Sequence, residues 1–378
     1  MIDRKLLRKL DWSLLLIVAL LTIFGLVIVY AATQSGINYN PDDPLALAKR
    51  QGLSALLGWL VMMVVIGLDY RILAKYARVI YTLNLLSLGF VLFLGRVAGG
   101  SQRWFRMGFV TFQPSELAKI ALIITLARYL SEKEEAWDSP RALLGPFLHV
   151  SLPMILVLAQ PDLGTALIFI GILFGMLFIA GVPGKHLAGI VALGGLAVGV
   201  LLLLASQGYY PLLKEYQIRR LVAFVNPYAD RMGSGWNVIQ SMIAIGSGGL
   251  LGKGLLAGSQ VQLNFLPAHH TDFIFSVVGE ELGFVGATAL LGLFFLLLMR
   301  GMKVIHRAKD DFGRLVAAGI LSMFFFHIAI NVAMTIGLAP VTGIPLPFIS
   351  YGGSSLLTNM MGIGLLLNIH MRRQKILF

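Results

Sequence analysis

Five charged side chains stand in otherwise apolar stretches: Glu116 and Lys119 in FQPSELAKI, Asp272 in LPAHHTDFIF, and Glu280 with Glu281 in SVVGEELGF. Charge in apolar surroundings is costly and tends to be kept where it is used. Asp272 shares its turn with His269, His270 and Thr271. A carboxylate there could take a proton from a hydroxyl as a general base, or it could simply cap the helix that follows. The adjacent histidines lack the spaced ligand set that a metal site needs. Glu116 and Lys119 are three residues apart and share a helix face, as a structural ion pair or as the charged wall of a cavity. Glu280 and Glu281 lie about 12 Å further along the helix from Asp272. They call for internal bonding, with Lys119 or an arginine as partner. A basic group, Arg96, Arg103, Arg106, Lys214, Arg219, Arg220, Arg231 and Lys253, suits a phosphate or pyrophosphate, which the planar arginine fork binds well. The run GSGGLLGKG (246–254) is no phosphate loop, because Ser247 takes the first glycine position and Gly254 follows the lysine. Its glycines read as structural.

The elements that carry these residues must be membrane helices. Of 378 residues, 57% are hydrophobic and 13% charged, and mean hydropathy is +0.83; a soluble chain carries about twice that share of charge. The net charge of +12 would suggest nucleic acid in a soluble protein, but here it matches the lysines and arginines that gather in cytoplasmic loops, and no nucleic-acid partner is expected. The absence of cysteine excludes disulfides and thiol catalysis. Apolar runs predict ten spans, near 12–32, 48–68, 77–95, 114–130, 143–160, 164–182, 187–206, 273–299, 314–337 and 348–370. The first is too long for a signal peptide and no cleavage site follows it. With the N-terminus inside, 19 of the 30 basic residues fall on the inner side, which places both termini in the cytoplasm. The fold class is therefore an all-α integral membrane protein, one polytopic domain over 1–378. A long outer loop, about 207–271, joins spans seven and eight. Within it, 211–225 has the spacing of an interfacial helix and 236–245 reads as a short helix.

GSQRWF (100–105), FQPSELAKI (112–120), QPDLGTAL (160–167), WNVIQSMIAIGSGGLLGKG (236–254), FLPAHHTDFIFSVVGEELGF (265–284) and PFISYGGSS (347–355), in this order, resemble the SEDS family of RodA, FtsW and SpoVE. The likeness covers most of the chain. The short N-terminus and the GKG followed by Gln260 are more like the RodA branch.

The resemblance implies a peptidoglycan glycosyltransferase that polymerises lipid II during cell-wall elongation, on the outer face of the bacterial cytoplasmic membrane. Asp272 matches the family's catalytic aspartate. Trp104, Glu116, Lys119 and Asp162 match positions of its cavity, and Arg103, Arg219, Arg220 and His270 join them as expected substrate contacts. Many members carry an acid after the proline of the catalytic turn, where this chain has Ala268. No protein metal site and no obligatory cofactor is expected, although a divalent cation, Mg or Mn, could rest on the pyrophosphate. The expected partners are lipid II, membrane lipids and a class B penicillin-binding protein. The main alternative is a flippase or other transporter, whose broken helices and intramembrane charges look alike. The other is a non-catalytic scaffold, in which Asp272 only caps.

Overall fold

The computed structural model describes residues 9–34, 42–98, 101–107, 110–133, 137, 139–206, 215–230, 233–263 and 265–373. In chain order the elements are α1 (Trp12–Ala32), α2 (Ala46–Gly67), α3 (Tyr70–Lys75), α4 (Ala77–Leu94), β1 (Arg96–Ala98), β2 (Ser101–Met107), β3 (Val110–Phe112), α5 (Pro114–Ser131), α6 (Leu144–Ala159), α7 (Leu163–Ile179), α8 (Gly184–Ser206), α9 (Glu215–Val225), α10 (Ser234–Ser247), α11 (Ser259–Gln262), α12 (Ile274–Arg307), α13 (Asp311–Thr335) and α14 (Gly353–Met371). One long helix overlies each of the ten predicted spans. The two short helices expected in the long loop are α9 and α10.

Seven described helical segments are long and apolar enough to cross a membrane. The chain is a multi-pass membrane protein. Its outer helices show lipid-facing rows such as Leu53, Leu56 and Leu60 on α2 and Leu193, Leu196 and Leu203 on α8. The remaining long helices, α5, α7 and α14, are shorter or more polar and lie largely enclosed. An enclosed helix does not face lipid, so it can carry polar side chains at low cost if their hydrogen bonds are made inside. That is why Glu116, Lys119 and Asn368 sit on such helices and are buried.

The all-helical expectation missed a small antiparallel sheet of three strands in the order β1-β2-β3. Phe105 pairs with Phe112 and Arg96 with Trp104. Alternation in QRWFRM is a strand pattern, but it is too short to stand out between two long apolar runs.

The other departure is a break in α12. Gly283 takes φ 65° and ψ −164°, and a Cβ there would lie 2.3 Å from Gly252 N, so only glycine fits. A break at this point frees the carbonyls of Glu280 and Glu281 and the amides of Phe284 and Val285. The glycine-rich loop supplies all four partners. Lys253 N–H and Gly254 N–H donate to the carbonyls of Glu280 and Glu281 at 3.0 and 2.9 Å, while Phe284 N–H and Val285 N–H donate to the carbonyls of Gly249 and Leu250 at 2.9 and 3.1 Å. The loop thus replaces the missing helical turn, as backbone inside a membrane protein requires. The Glu280 carboxylate, fully buried, accepts from Lys253 Nζ at 2.7 Å, Ser259 Oγ at 3.2 Å and Gln260 N–H at 3.0 Å. This corrects the expected partner, Lys119 or an arginine. It also removes Lys253 from the candidate phosphate ligands, because its charge is taken up by Glu280.

Candidate active site

Asp272 ends a tight turn held by its own backbone and by its neighbours. Within it, Thr271 N–H and Phe273 N–H donate to the Ala268 carbonyl at 3.1 and 3.3 Å. From α13, the buried Asn331 amide donates to the carbonyls of Asp272 at 2.9 Å and Ile344 at 2.7 Å. From the segment before α14, Ser350 Oγ donates to the Thr271 carbonyl at 2.6 Å and Tyr351 N–H to the His270 carbonyl at 2.9 Å. The turn is therefore fixed through its carbonyls. The N-cap of α12 is Phe273 and no side chain caps the helix, so the capping alternative for Asp272 fails and its carboxylate is left for the cavity.

Burial pushes the Asp272 carboxyl up to about 6. Arg220, a hydrogen bond from Thr271 and then Arg103 pull the other way, and Asp162 adds to the rise. Burial, with His269 beside it, pushes the His270 imidazole down to about 4, so the ring is neutral at pH 7. His269 is buried, with Nδ1 2.7 Å from the Leu266 carbonyl and Nε2 2.8 Å from the Ala32 carbonyl. Neither ring nitrogen is left for a metal, and among the described residues no three His, Asp or Glu side chains group to hold one.

A cavity of about 940 Å³ opens in front of Asp272. It brings together Arg103, Trp104, Glu116, Lys119, Asp162, Arg220 and His270, residues that are far apart in sequence. The sheet delivers Arg103 and Trp104. Arg103 Nε donates to the Gln160 carbonyl at 2.8 Å, Nη2 donates to the Pro161 carbonyl, and Nη1 lies 3.7 Å from Asp162 Oδ1. Asp162 is the N-cap of α7, accepting from Thr165 N–H at 3.1 Å and Thr165 Oγ1 at 3.0 Å. It also accepts from Gln113 at 3.2 Å and Ser115 at 3.1 Å at the start of α5. With so many donors, Asp162 is a knot joining the sheet, α5 and α7 rather than a free acid. From α9, Arg220 Nη1 reaches the Thr342 carbonyl at 3.5 Å. Arg219 is on the same helix, but its side chain lies outside the described residues, as do the side chains of Arg96 and Arg106 and all of Lys214 and Arg231.

Deeper in the cavity, Lys119 Nζ donates to Glu116 Oε1 at 2.8 Å and lies 3.0 Å from His327 Nε2. His327 Nδ1 faces the Met323 carbonyl at 2.8 Å. An ammonium only donates, so Nε2 accepts and Nδ1 carries the proton; one geometry fixes the tautomer. Sequence reasoning passed over His327 and Asn331, although two polar residues four apart in an apolar span were a usable signal. It also missed Gly343, at φ 74°, where a Cβ would stand 3.4 Å from Asp272 Oδ2. Nothing local marks that glycine.

Comparison with known proteins places this arrangement. A family model described as "Cell cycle protein", FtsW/RodA/SpoVE, matches residues 11–375. The chain is 39% identical to Stage V sporulation protein E of Bacillus subtilis over 364 residues, covering 95% of this chain and 96% of that one. It is 40% identical to the probable peptidoglycan glycosyltransferase FtsW of Geobacter sulfurreducens (97% and 96% covered). With the peptidoglycan glycosyltransferase MrdB of Escherichia coli K12 it shares 37% (97% and 94% covered). Among solved structures, Thermus thermophilus RodA superposes with a TM-score of 0.70 at 33% identity, covering 97% of this chain and 98% of that one. A chain from work on "Structural coordination of polymerization and crosslinking by a peptidoglycan synthase complex" does so at 0.78 and 37%, covering 96% and 97%. A match over nearly the whole length, in sequence and in fold, leaves one assignment: the chain belongs to the FtsW/RodA/SpoVE family.

Proposed function

We propose that the protein is a peptidoglycan glycosyltransferase that polymerises lipid II at the Asp272 cavity. The observation that carries this is a partly desolvated carboxylate, with its pKa pushed up to about 6, in a cavity whose other charged groups include Arg103, Lys119 and Arg220. A base works best when its pKa lies near the working pH, and a departing pyrophosphate is stabilised by fixed cations. In the proposed step, Asp272 takes the proton of the acceptor sugar's C4 hydroxyl. That oxygen bonds to the anomeric carbon of the donor, the bond from that carbon to pyrophosphate breaks, and the lipid pyrophosphate leaves with the electron pair, inverting the centre. Trp104 and the neutral His270 are placed to pack against or hydrogen-bond a sugar. The Glu116–Lys119–His327 group lines the cavity at depth as a polar wall, with the Lys119 charge paired to Glu116. A divalent ion, Mg or Mn, would lean on the pyrophosphate's own oxygens and at most one or two of the cavity carboxylates.

The supporting relatives are named peptidoglycan glycosyltransferases. A partner that crosslinks, a class B penicillin-binding protein, follows from the likeness to a synthase complex that coordinates polymerisation with crosslinking. Relatives of all three kinds stand at 37–40% identity, so the elongation role rests on the RodA-like motifs. Depletion tests it: rounded cells fit elongation, filaments fit division. The site is proposed to face outward from the bacterial cytoplasmic membrane.

The test of the activity is lipid II polymerisation by the purified protein with its transpeptidase, wild type against Asp272→Asn. Removing a general base costs about 10²- to 10⁴-fold. Loss of that size with the fold and partner binding intact supports the assignment. Undiminished polymer from the variant refutes Asp272 as base, and an inactive wild type that moves lipid II across vesicles would establish the transporter reading instead.

A further inference from the structure

A second, smaller recess of about 330 Å³ lies at the other end of α12, between the start of α1 and the ends of α12 and α14. Asp272 precedes the first residue of α12 and Arg307 is its last, so the helix separates this recess from the active cavity. We propose that the recess binds the phosphate of an anionic phospholipid headgroup, with the acyl chains lying along α1.

Three cations line it, Arg300, Lys303 and Arg307, spaced three and four apart and therefore on one helix face. Among the described residues, the single carboxylate lining the recess, Asp11, is already engaged. It accepts from Leu14 N–H at 3.1 Å as the cap of α1 and lies 3.8 Å from Arg300 Nη1. Among the described residues the lining carries three positive side chains against one negative, a surplus that suits an anion. His370 forms part of the wall and is only 7% exposed. Arg373 Nη1 hydrogen-bonds its Nε2. An arginine only donates, so Nε2 accepts and the ring proton sits on Nδ1. That Nδ1 is buried without a hydrogen-bond partner, an unspent donor at the edge of a cationic recess.

The surroundings identify the anion as a lipid. Trp12, 70% exposed, stands at the rim, where aromatic residues mark the membrane boundary. From it an exposed apolar stripe, Leu16, Leu20, Ile23 and Val27, runs along α1 toward the middle of the bundle. A headgroup in the recess would lay its chains on that stripe. Basic recesses between helix ends at a membrane surface are known to hold such headgroups.

The experiment measures binding of phosphatidylglycerol and phosphatidylcholine to the purified full-length protein in detergent. Wild type should prefer phosphatidylglycerol by about tenfold or more. The doubly substituted Lys303→Gln, Arg307→Gln protein should lose that preference. A control with the same charge change elsewhere, Arg141→Gln with Lys185→Gln, should keep it. Both Lys303 and Arg307 are exposed, and thermal melting of each variant serves as the check that the fold survives their exchange. Equal weakening in the two variants would reduce the effect to general surface charge and overturn the site. Displacement of the lipid by millimolar inorganic phosphate would show a site for soluble anions and overturn the lipid assignment.

Discussion

Half of the Asp272 side chains carry a proton near pH 6 if the carboxyl sits at about 6, and a protonated base is idle. Polymerisation should therefore rise tenfold per pH unit below about 6 and level off above it, and a profile flat from pH 5 to 8 would refute Asp272 as the base. The same shift has a sign for stability. The folded state holds the proton more tightly than the unfolded chain, so native stability falls as pH rises from about 4 to 6 and stays lower above. Asp272→Asn, which has no charge to bury, should melt higher than wild type at pH 7.5 and equal to it near pH 3.5. Ala268 offers a sharper residue-level test. It holds φ 52°, a left-handed conformation that costs an ordinary residue about 1–2 kcal/mol and that glycine, asparagine and aspartate accept more easily. On this reading an aspartate at 268 eases the turn and adds nothing to the chemistry. Ala268→Gly and Ala268→Asp should both raise the melting temperature and leave the rate within about twofold; a rate gain confined to Ala268→Asp would restore a chemical role. The site residues were legible because charge in an apolar sequence is conspicuous. Their bonding was less so. Asp162, which looked like a cavity acid, is tied up by Thr165, Gln113 and Ser115, contacts that only folding creates.

At the scale of elements, the spans were readable because lipid imposes a length and a composition on each helix. What could not be read was anything made by two distant segments at once. The break in α12 exists because 249–254 inserts between its two halves, and the run around Gly283 alone looks like continuous helix. Gly283→Ala should cost at least about 2 kcal/mol, combining a left-handed backbone with overpacking, and a melting temperature within a degree of wild type would refute the insertion. Lys253→Met, which leaves the Glu280 carboxylate buried without its cation, should cost about 3–5 kcal/mol. A double variant with Glu280→Gln should recover much of it, measured by thermal melting in detergent. The sheet escaped for the opposite reason: its strands, at most seven residues long, carry too few alternations to be told from a loop.

For the whole molecule, the charge bias along the sequence predicts an orientation, which the bundle by itself does not reveal. The natural absence of cysteine makes a direct test simple. A single cysteine at Gly233 should react with a membrane-impermeant maleimide in intact cells, and one at Lys309 only after permeabilisation; the reverse pattern would turn the molecule over and put the Asp272 cavity on the inner face. Fold class and multi-pass character were thus open to the sequence, whereas the closeness of α1, α13 and the segment before α14 to one short turn was not. That closeness bears on heredity as well as on chemistry. Because the carbonyl oxygens of the Asp272 turn hang from the side chains of Asn331 and Ser350 and from the backbone of Tyr351, loss of Asn331 or Ser350 disturbs the turn without touching the carboxylate. A random screen for alleles that fail to build wall should then return Asn331 nearly as often as the carboxylate, marking a defect of posture that looks, in a colony, like a defect of chemistry.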